Sequence, residues 1–418
     1  MTSTSGPLKL HWFLPTSGDS RSLLGAGQGS PGRNAAGPLG WDTQGFRPPT
    51  IDYLADIART AEKLGFEGVL TPTGTFCEDA WLVTAALLRE TSRLKFLVAF
   101  RPGVINPVLA AQMAAAYQRI SDGRLLLNNV TGGNPDEQAR FGDTDPKATR
   151  YARTEEFLAV LRGTWEQAPF DFSGQFFDVK GALVKGGITP QPDIYFGGSS
   201  GPAGPVAAKH ADVYLTWGEP PELVGEKLDW IRSLAREQGR TLRFGLRVHT
   251  ISRDTSEEAW RQAQWLLDGL DPERVAAAQR ALQSSESTGQ ARMLALREGR
   301  TSYSDARELE VSPALWSGVG LVRGGAGTAL VGSHDEVADK LAEYHALGID
   351  EFILSGYPHV EEAWWFGEGV MPRLRRRGLL DGATDSTPQR PSAGSELART
   401  PVSEEVEEGR LTPELARG

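Results

Sequence analysis

The sequence predicts an α/β fold, a closed (β/α)8 TIM barrel with insertions, on three observations. Eight strand-like segments alternate with helical segments between Leu8 and Arg376. That order calls for a parallel sheet, and eight strands are the number that closes one into a barrel. The polar, aromatic and glycine residues collect at the C-terminal ends of those strands, the rim on which a barrel builds its site. A length of 418 residues suits one barrel with long connections as well as two or three average domains.

Leu8 to Pro15 reads as the first strand, and Thr16 to Pro49 as a long Gly- and Ser-rich connection. Thr50 is a candidate N-cap for a helix with Ile51, Leu54, Ile57, Ala58, Ala61 and Leu64 on one face, stopped by Gly65. Strands at Gly68–Pro72, Lys95–Phe100 and Arg124–Val130 alternate with helices at Asp79–Ser92 and Pro107–Ser121. Thr131 to Arg150 reads as a polar loop, Tyr151–Glu166 as a helix, and Phe170–Lys180 as a hairpin turning at Ser173-Gly174. Strands five to seven are Asp193–Gly198, Asp212–Trp217 and Arg243–Thr250, with helices near Pro202–His210, Pro221–Gln238 and Ser256–Leu267. Residues 268–332 show no strand to pair and read as an insertion over the active site, a long mobile lid before the last strand. Ser333 with Glu336 forms a capping-box pattern opening a helix to Leu347. That helix carries His334 and His345 and is expected at the surface. Glu351–Gly356 is the eighth strand and Val360–Arg376 the last helix. The expected organisation is a flexible N-terminus over 1–7, a barrel domain over 8–378 and a disordered tail over 379–418.

Composition narrows the class. Hydrophobic residues at 39% and charged ones at 23% describe a globular chain. No run approaches the roughly 20 apolar residues of a membrane span, and no signal sequence opens the chain, so a cytoplasmic protein with no membrane partner is expected. A single cysteine, Cys77, excludes an internal disulfide, and six scattered histidines give no zinc motif, so no metal is expected. A net charge of −10 disfavours nucleic acid as partner. A small-molecule enzyme remains.

Strand seven carries the chemical signal. In Phe244-Gly245-Leu246-Arg247-Val248-His249-Thr250, strand alternation puts Arg247 and His249 on one face and Phe244, Leu246 and Val248 on the other. A buried Arg and His need partners, so their face should line a cavity that takes anionic groups. Gly197 to Gly201, between a strand and a helix, suits a phosphate, because glycines let backbone N–H groups approach and the helix N-terminus favours an anion. Gly198, Ser199, Ser200 and Gly201 are the candidate cradle. It does not match the dinucleotide fingerprint, and aromatic and amide residues at other strand ends suit one planar ring, which points to a mononucleotide such as FMN. Phe13, Asn128, Thr131 and Tyr151 complete the expected cofactor set.

Six blocks carry a resemblance. Trp12-Phe13-Leu14-Pro15-Thr16, Cys77-Glu78-Asp79-Ala80-Trp81-Leu82-Val83, Tyr195-Phe196-Gly197-Gly198-Ser199-Ser200, the stretch Tyr214–Leu223, the stretch Val322–Gly332, and Leu354-Ser355-Gly356-Tyr357-Pro358-His359 together closely resemble bacterial FMNH2-dependent alkanesulfonate monooxygenases of the luciferase-like superfamily. The resemblance runs from about Leu8 to Arg376. It implies a two-component system: a separate NAD(P)H:FMN reductase supplies reduced FMN, and this chain uses it with O2 to convert an alkanesulfonate to an aldehyde and sulfite, for sulfur acquisition. The family's functional cysteine, Arg-x-His pair, last-strand tyrosine and loop arginine fall on Cys77, Arg247, His249, Tyr357 and Arg323. It also implies a homo-oligomer, a dimer or tetramer. Two departures stand out: Ser17 where relatives often have His, and a longer Gly-rich loop from Leu23 to Pro48.

The resemblance gives the candidate residues their roles. Arg247 and Arg323 should grip a sulfonate from the barrel floor and from the lid, with His249 or Tyr357 moving the proton as the C–S bond breaks. Trp217 is expected at the substrate and in contact with the flavin, the alternative being that it fills the barrel mouth, and Cys77 either beside the flavin or as a small buried residue. His11 belongs to the core or barrel floor. The rivals are a metal-dependent hydrolase using His249, Glu78 and Asp79, a deazaflavin oxidoreductase on the same fold, and a non-catalytic flavin-binding protein, which needs no Arg-x-His pair.

Overall fold

The computed structural model describes residues 6–23, 45–300 and 303–381. In chain order the strands are β1 (Lys9–Phe13), β2 (Gly68–Thr71), β3 (Lys95–Phe100), β4 (Leu125–Asn129), β5 (Phe170–Ser173), β6 (Asp178–Ala182), β7 (Ile194–Gly197), β8 (Val213–Trp217), β9 (Arg243–Arg253), β10 (Glu310–Ser312), β11 (Leu315–Trp316), β12 (Ala329–Ser333) and β13 (Glu351–Ser355). Strands β1, β2, β3, β4, β7, β8, β9 and β13 are each parallel to the next, and β13 pairs back onto β1. This is the closed eight-stranded barrel, and all eight predicted strands are in it. The pair β5 and β6 is the separate hairpin, its turn lying at Gly174–Phe177.

Alternation along each strand builds two apolar layers. Phe13, Leu70, Leu97, Leu126, Tyr195, Val213 and Ile353 point inward and fill the barrel. Leu10, Trp12, Val69, Phe96, Val98, Leu246 and Val248 point outward against the helices. The helix Ile51–Leu64 shows why those helices form: Thr50 caps it by accepting from the Tyr53 N–H, and Gly65 ends it in the left-handed region at φ 92°. Its buried Leu54 and Ile57 contribute about 1.5–3 kcal/mol each.

The floor of the barrel is polar. His11 Nε2 lies 3.1 Å from Glu351 Oε2, which also accepts from the Tyr195 hydroxyl at 2.6 Å, and Arg243 Nη1 donates to Oε1 at 2.7 Å. Although burial works against it, hydrogen bonding and charge from His11, then Tyr195 and Arg243, hold the Glu351 carboxyl down at about 2.

The segment 268–332 differs from its expectation. It holds the helices Pro272–Gln283 and Thr288–Ala295 and three strands, β10 to β12. β12 runs parallel to the second half of β9, pairing Ala329 with His249 and Ser333 with Arg253, and β11 and β10 follow antiparallel. These strands are two to five residues long, too short to show a period, and their partner lies some eighty positions away. The insertion has its own core, in which Trp260, Val275, Trp316, Leu321 and Tyr357 meet.

Smaller corrections follow from packing. The loop 131–150 contains a helix, Pro135–Arg140, and the next helix already begins at Lys147. His334 and His345 are buried, because their amphipathic helix turns them inward, His334 Nδ1 meeting Ser252 Oγ at 2.6 Å. Leu379 and Leu380 pack against the core, and Leu8 N–H donates to Leu379 C=O at 2.8 Å, so the barrel unit runs past residue 378. Expectations for residues 1–5 and 382–418, and for most of the Leu23–Pro48 loop, lie outside the described residues. Among the described residues no helix is long and apolar enough to cross a membrane.

Candidate active site

A cavity of about 280 Å³ opens at the C-terminal ends of the barrel strands, roofed by residues 287–289 and 323–326 of the insertion. Of the predicted residues, Phe13, Asn128, Thr131, Tyr151, Gly198, Ser199, Ser200, Trp217, Arg247, His249 and Arg323 line it. Cys77, Gly201 and Tyr357 do not. Cys77 sits on a turn closed by its N–H to Gly74 C=O at 3.1 Å, and the next residue, Glu78, bonds back to Thr16, which leaves Pro72 and Thr73 to reach the cavity. After Ser200 the chain turns into the helix Ala203–His210, with Ala203 N–H donating to Ser200 C=O, and Gly201 falls outside. Tyr357 is buried behind His249, its ring stacked on the imidazole at a centroid distance of 5.4 Å.

Arg247 and His249 are joined through one hydroxyl. Arg247 Nη2 donates to Ser355 Oγ at 2.7 Å, and Ser355 Oγ lies 2.7 Å from His249 Nδ1. His249 Nε2 is 3.2 Å from the Ala326 carbonyl, which can only accept, so the proton sits on Nε2 and Nδ1 accepts from Ser355. Burial, followed by the charges of Arg247 and Arg323, pushes the His249 pKa well below its ordinary value. The imidazole is therefore neutral, as its hydrogen bonds require.

Arg247 is buried among carbonyls, donating to Val248 and Ile353, and no carboxylate pairs with it among the described residues. Burial, then the nearby Arg323, pulls its pKa well down. Its Cζ lies 4.9 Å from the Phe13 ring centroid, and that of Arg323 lies 5.7 Å from the same ring and 5.6 Å from the Tyr357 ring. The two guanidiniums thus face one ring, an arrangement that an anion between them would stabilise.

The other end of the cavity is the Gly197–Ser200 turn. Tyr214 Oη steadies it by donating to Gly198 C=O at 2.7 Å. Lys147, absent from the expected set, lines this end and donates to Glu286 C=O at 2.8 Å. Its signal was available, a lysine four residues before Tyr151 on one helix face. Asn129 was also missed: it borders the cavity, and both atoms of its buried amide lack a protein partner. The roof is fastened here too, by Glu219, which accepts from Lys227 of the barrel and Arg292 of the insertion, both at 2.5 Å.

A second buried pair escaped the sequence reading. His359 Nδ1 lies 2.9 Å from Asp19 Oδ1, and the His359 N–H donates to Asp19 Oδ2 at 2.8 Å. Tyr53 Oη donates to the same carboxylate. Although burial opposes it, His359 and Tyr53 hold the Asp19 pKa below its ordinary value. The two residues are 340 positions apart, and although His359 ends the last of the six blocks, Asp19 lies beyond the first, which stops at Thr16, so nothing in the sequence paired them.

Three solved structures share this fold. A long-chain alkane monooxygenase is 20% identical at a TM-score of 0.71, with 92% of this chain and 94% of that one covered. A riboflavin lyase crystallised with modified FMN and riboflavin is 21% identical at 0.70, with 91% and 94% covered. The EDTA monooxygenase of Chelativorans sp. BNC1 is 19% identical at 0.67, with 90% and 95% covered. At these identities the likeness speaks for the fold alone. The sequence profile described as luciferase-like monooxygenase matches residues 9–351, well over half of the chain, a span in which every barrel strand begins and all of the cavity lining but Ile353 lies. This protein belongs to the luciferase-like monooxygenase family.

Proposed function

We propose that the protein is a two-component alkanesulfonate monooxygenase: with O2 and reduced FMN from a separate NAD(P)H:FMN reductase, it converts an alkanesulfonate into an aldehyde and sulfite, leaving oxidised FMN and water. The observation that carries this reading is the pair Arg247 and Arg323 over one Phe13 ring, Arg247 without a carboxylate partner among the described residues. A tetrahedral sulfonate offers oxygens to both guanidiniums, and an anion there relieves the repulsion between them.

The residues present fit FMN. Gly198, Ser199 and Ser200 with Lys147 and Tyr151 would hold its phosphate, and Asn128 and Asn129 the polar edge of its ring system. When bound, reduced FMN supplies the electrons that activate O2. The chain's own residues do the rest. Arg247 is preorganised by Ser355, Val248 and Ile353, so it orients the sulfonate without reorganising. Residues 287–289 and 323–326 exclude water from above. Tyr357, stacked on His249 outside the cavity wall, steadies the imidazole. His249 orients Ser355 and, through it, Arg247.

The test is sulfite release from a series of alkanesulfonates in the presence of a flavin reductase, FMN and NAD(P)H. Sulfite formed in proportion to O2 consumed is the expected result. Turnover without O2 would favour a deazaflavin-type hydride transfer, and O2 consumption without sulfite from any member would assign a different substrate.

A further inference from the structure

Arg323 stands on a loop whose glycines suggest freedom, yet the loop is fastened at several points. Gly320 N–H donates to Gly327 C=O at 2.8 Å, closing residues 320–327 into a ring of chain. Gln279, buried on the helix Pro272–Gln283, donates from Nε2 to the carbonyls of Gly320 at 3.1 Å and Leu321 at 2.5 Å. Gln290, buried on the helix Thr288–Ala295, accepts at Oε1 from Gly325 N–H at 3.0 Å. Gln279 is itself set: its Oε1 accepts from Nη2 of Arg297 at 2.9 Å. That guanidinium is buried and pairs with no carboxylate among the described residues, and the side-chain group it bonds is this amide.

We infer that Gln279 and Gln290 are positioning residues that present Arg323 to the cavity by holding the chain before and after it, Gln279 as a donor to backbone carbonyls and Gln290 as an acceptor from a backbone N–H. The role given to Arg323 rests on the proposed function; the fastening of its loop does not. A loop held this way presents its cation before the ligand arrives, and the entropy of ordering it is not charged to binding.

Donor and acceptor roles predict opposite tolerance of one substitution. Gln279→Glu keeps shape and gives Arg297 a carboxylate, so the thermal midpoint should hold, but it removes both donors to Gly320 and Leu321. Gln290→Glu keeps the acceptor that Gly325 needs, whereas Gln290→Met removes it. Amide hydrogen exchange in the ligand-free protein should show residues 320–327 protected in the parent and in Gln290→Glu, and exposed in Gln279→Glu and Gln290→Met. Binding of 1-octanesulfonate, measured anaerobically with reduced FMN, should weaken by at least about tenfold in the two exposed variants, as a displaced contact to a buried anion does.

Unchanged exchange in Gln279→Glu overturns the inference, and so does altered exchange with unchanged octanesulfonate affinity, which would make the two glutamines structural only. If the parent binds no octanesulfonate, the proposed function fails, and the exchange pattern of the four proteins still decides whether the loop is held as described.

Discussion

The hydroxyl of Ser355 lies 2.7 Å from Nδ1 of His249, and it accepts from the Arg247 guanidinium at the same distance. One side chain on β13 thereby fixes two on β9. Ser355→Ala should leave the fold intact but free both partners, with a loss of about 1–3 kcal/mol in sulfonate binding as a buried charged donor goes unsatisfied. Calorimetric titration beside thermal denaturation separates the two effects. A variant that binds as tightly as the parent would show that Arg247 is held by Val248 and Ile353 alone.

Arg247→Ala removes a preorganised charge from the cavity. Truncating one partner of a buried ionic contact costs about 2–5 kcal/mol, so substrate affinity and turnover should both fall by orders of magnitude. Arg247→Lys should recover little, since an ammonium cannot reach Ser355, the two carbonyls and a sulfonate at once. Steady-state kinetics of sulfite release measure this.

Lys147 and the Gly197–Ser200 turn predict preference for the phosphorylated flavin. Reduced FMN should bind far more tightly than reduced riboflavin in anaerobic titrations, and Lys147→Met should narrow the gap by weakening FMN alone. Equal affinity of the parent for both flavins would remove the phosphate from this end of the cavity.

Cys77 lies off the cavity wall, on the turn above β2. Cys77→Ala and Cys77→Ser should therefore show kcat/KM within about twofold of each other, as substitutions away from a site usually do. A large advantage of serine over alanine would return the thiol to the flavin.

Glu351 should give the barrel an acid-sensitive floor. Its folded pKa, about 2, lies below its ordinary 4.5, so it binds fewer protons folded than unfolded. Its contribution, about 3 kcal/mol by linkage, is present above pH 4.5 and lost as pH falls toward 2. Urea unfolding at pH 6 and pH 3 should show a steeper loss for the parent than for Glu351→Gln. Parallel slopes would place the carboxylate's stabilisation elsewhere.

The eight barrel strands were legible because each is a run with a period or a continuous apolar stretch bounded by glycine or proline. Arg247 and His249 were legible for the same reason: two charged types at i and i+2 stand out against an apolar face. What could not be read was partnership across distance. Asp19 and His359 meet only because β1 and β13 are neighbours after closure. Asn128 was chosen over Asn129 because alternation along β4 turns only one of two neighbours inward, yet both residues border the cavity at the strand's end. Gln279 and Gln290 look like ordinary polar residues of amphipathic helices, since a hydrogen bond to a distant backbone leaves no pattern.

β9 is eleven residues long, and it serves the barrel with its first half and the insertion with its second. β12 takes up the side of β9 that β8 leaves free, with Thr328 Oγ1 donating to Gly218 C=O at 2.6 Å where the two meet. Cutting out residues 268–332 would thus do more than uncover the cavity. It would strip a partner from His249 to Arg253 and leave a row of buried N–H and C=O groups without bonds, an open edge that invites pairing with other chains. A shortened protein of that kind should precipitate or self-associate before its chemistry could be compared with the parent's, so the roof can be probed only by point substitution.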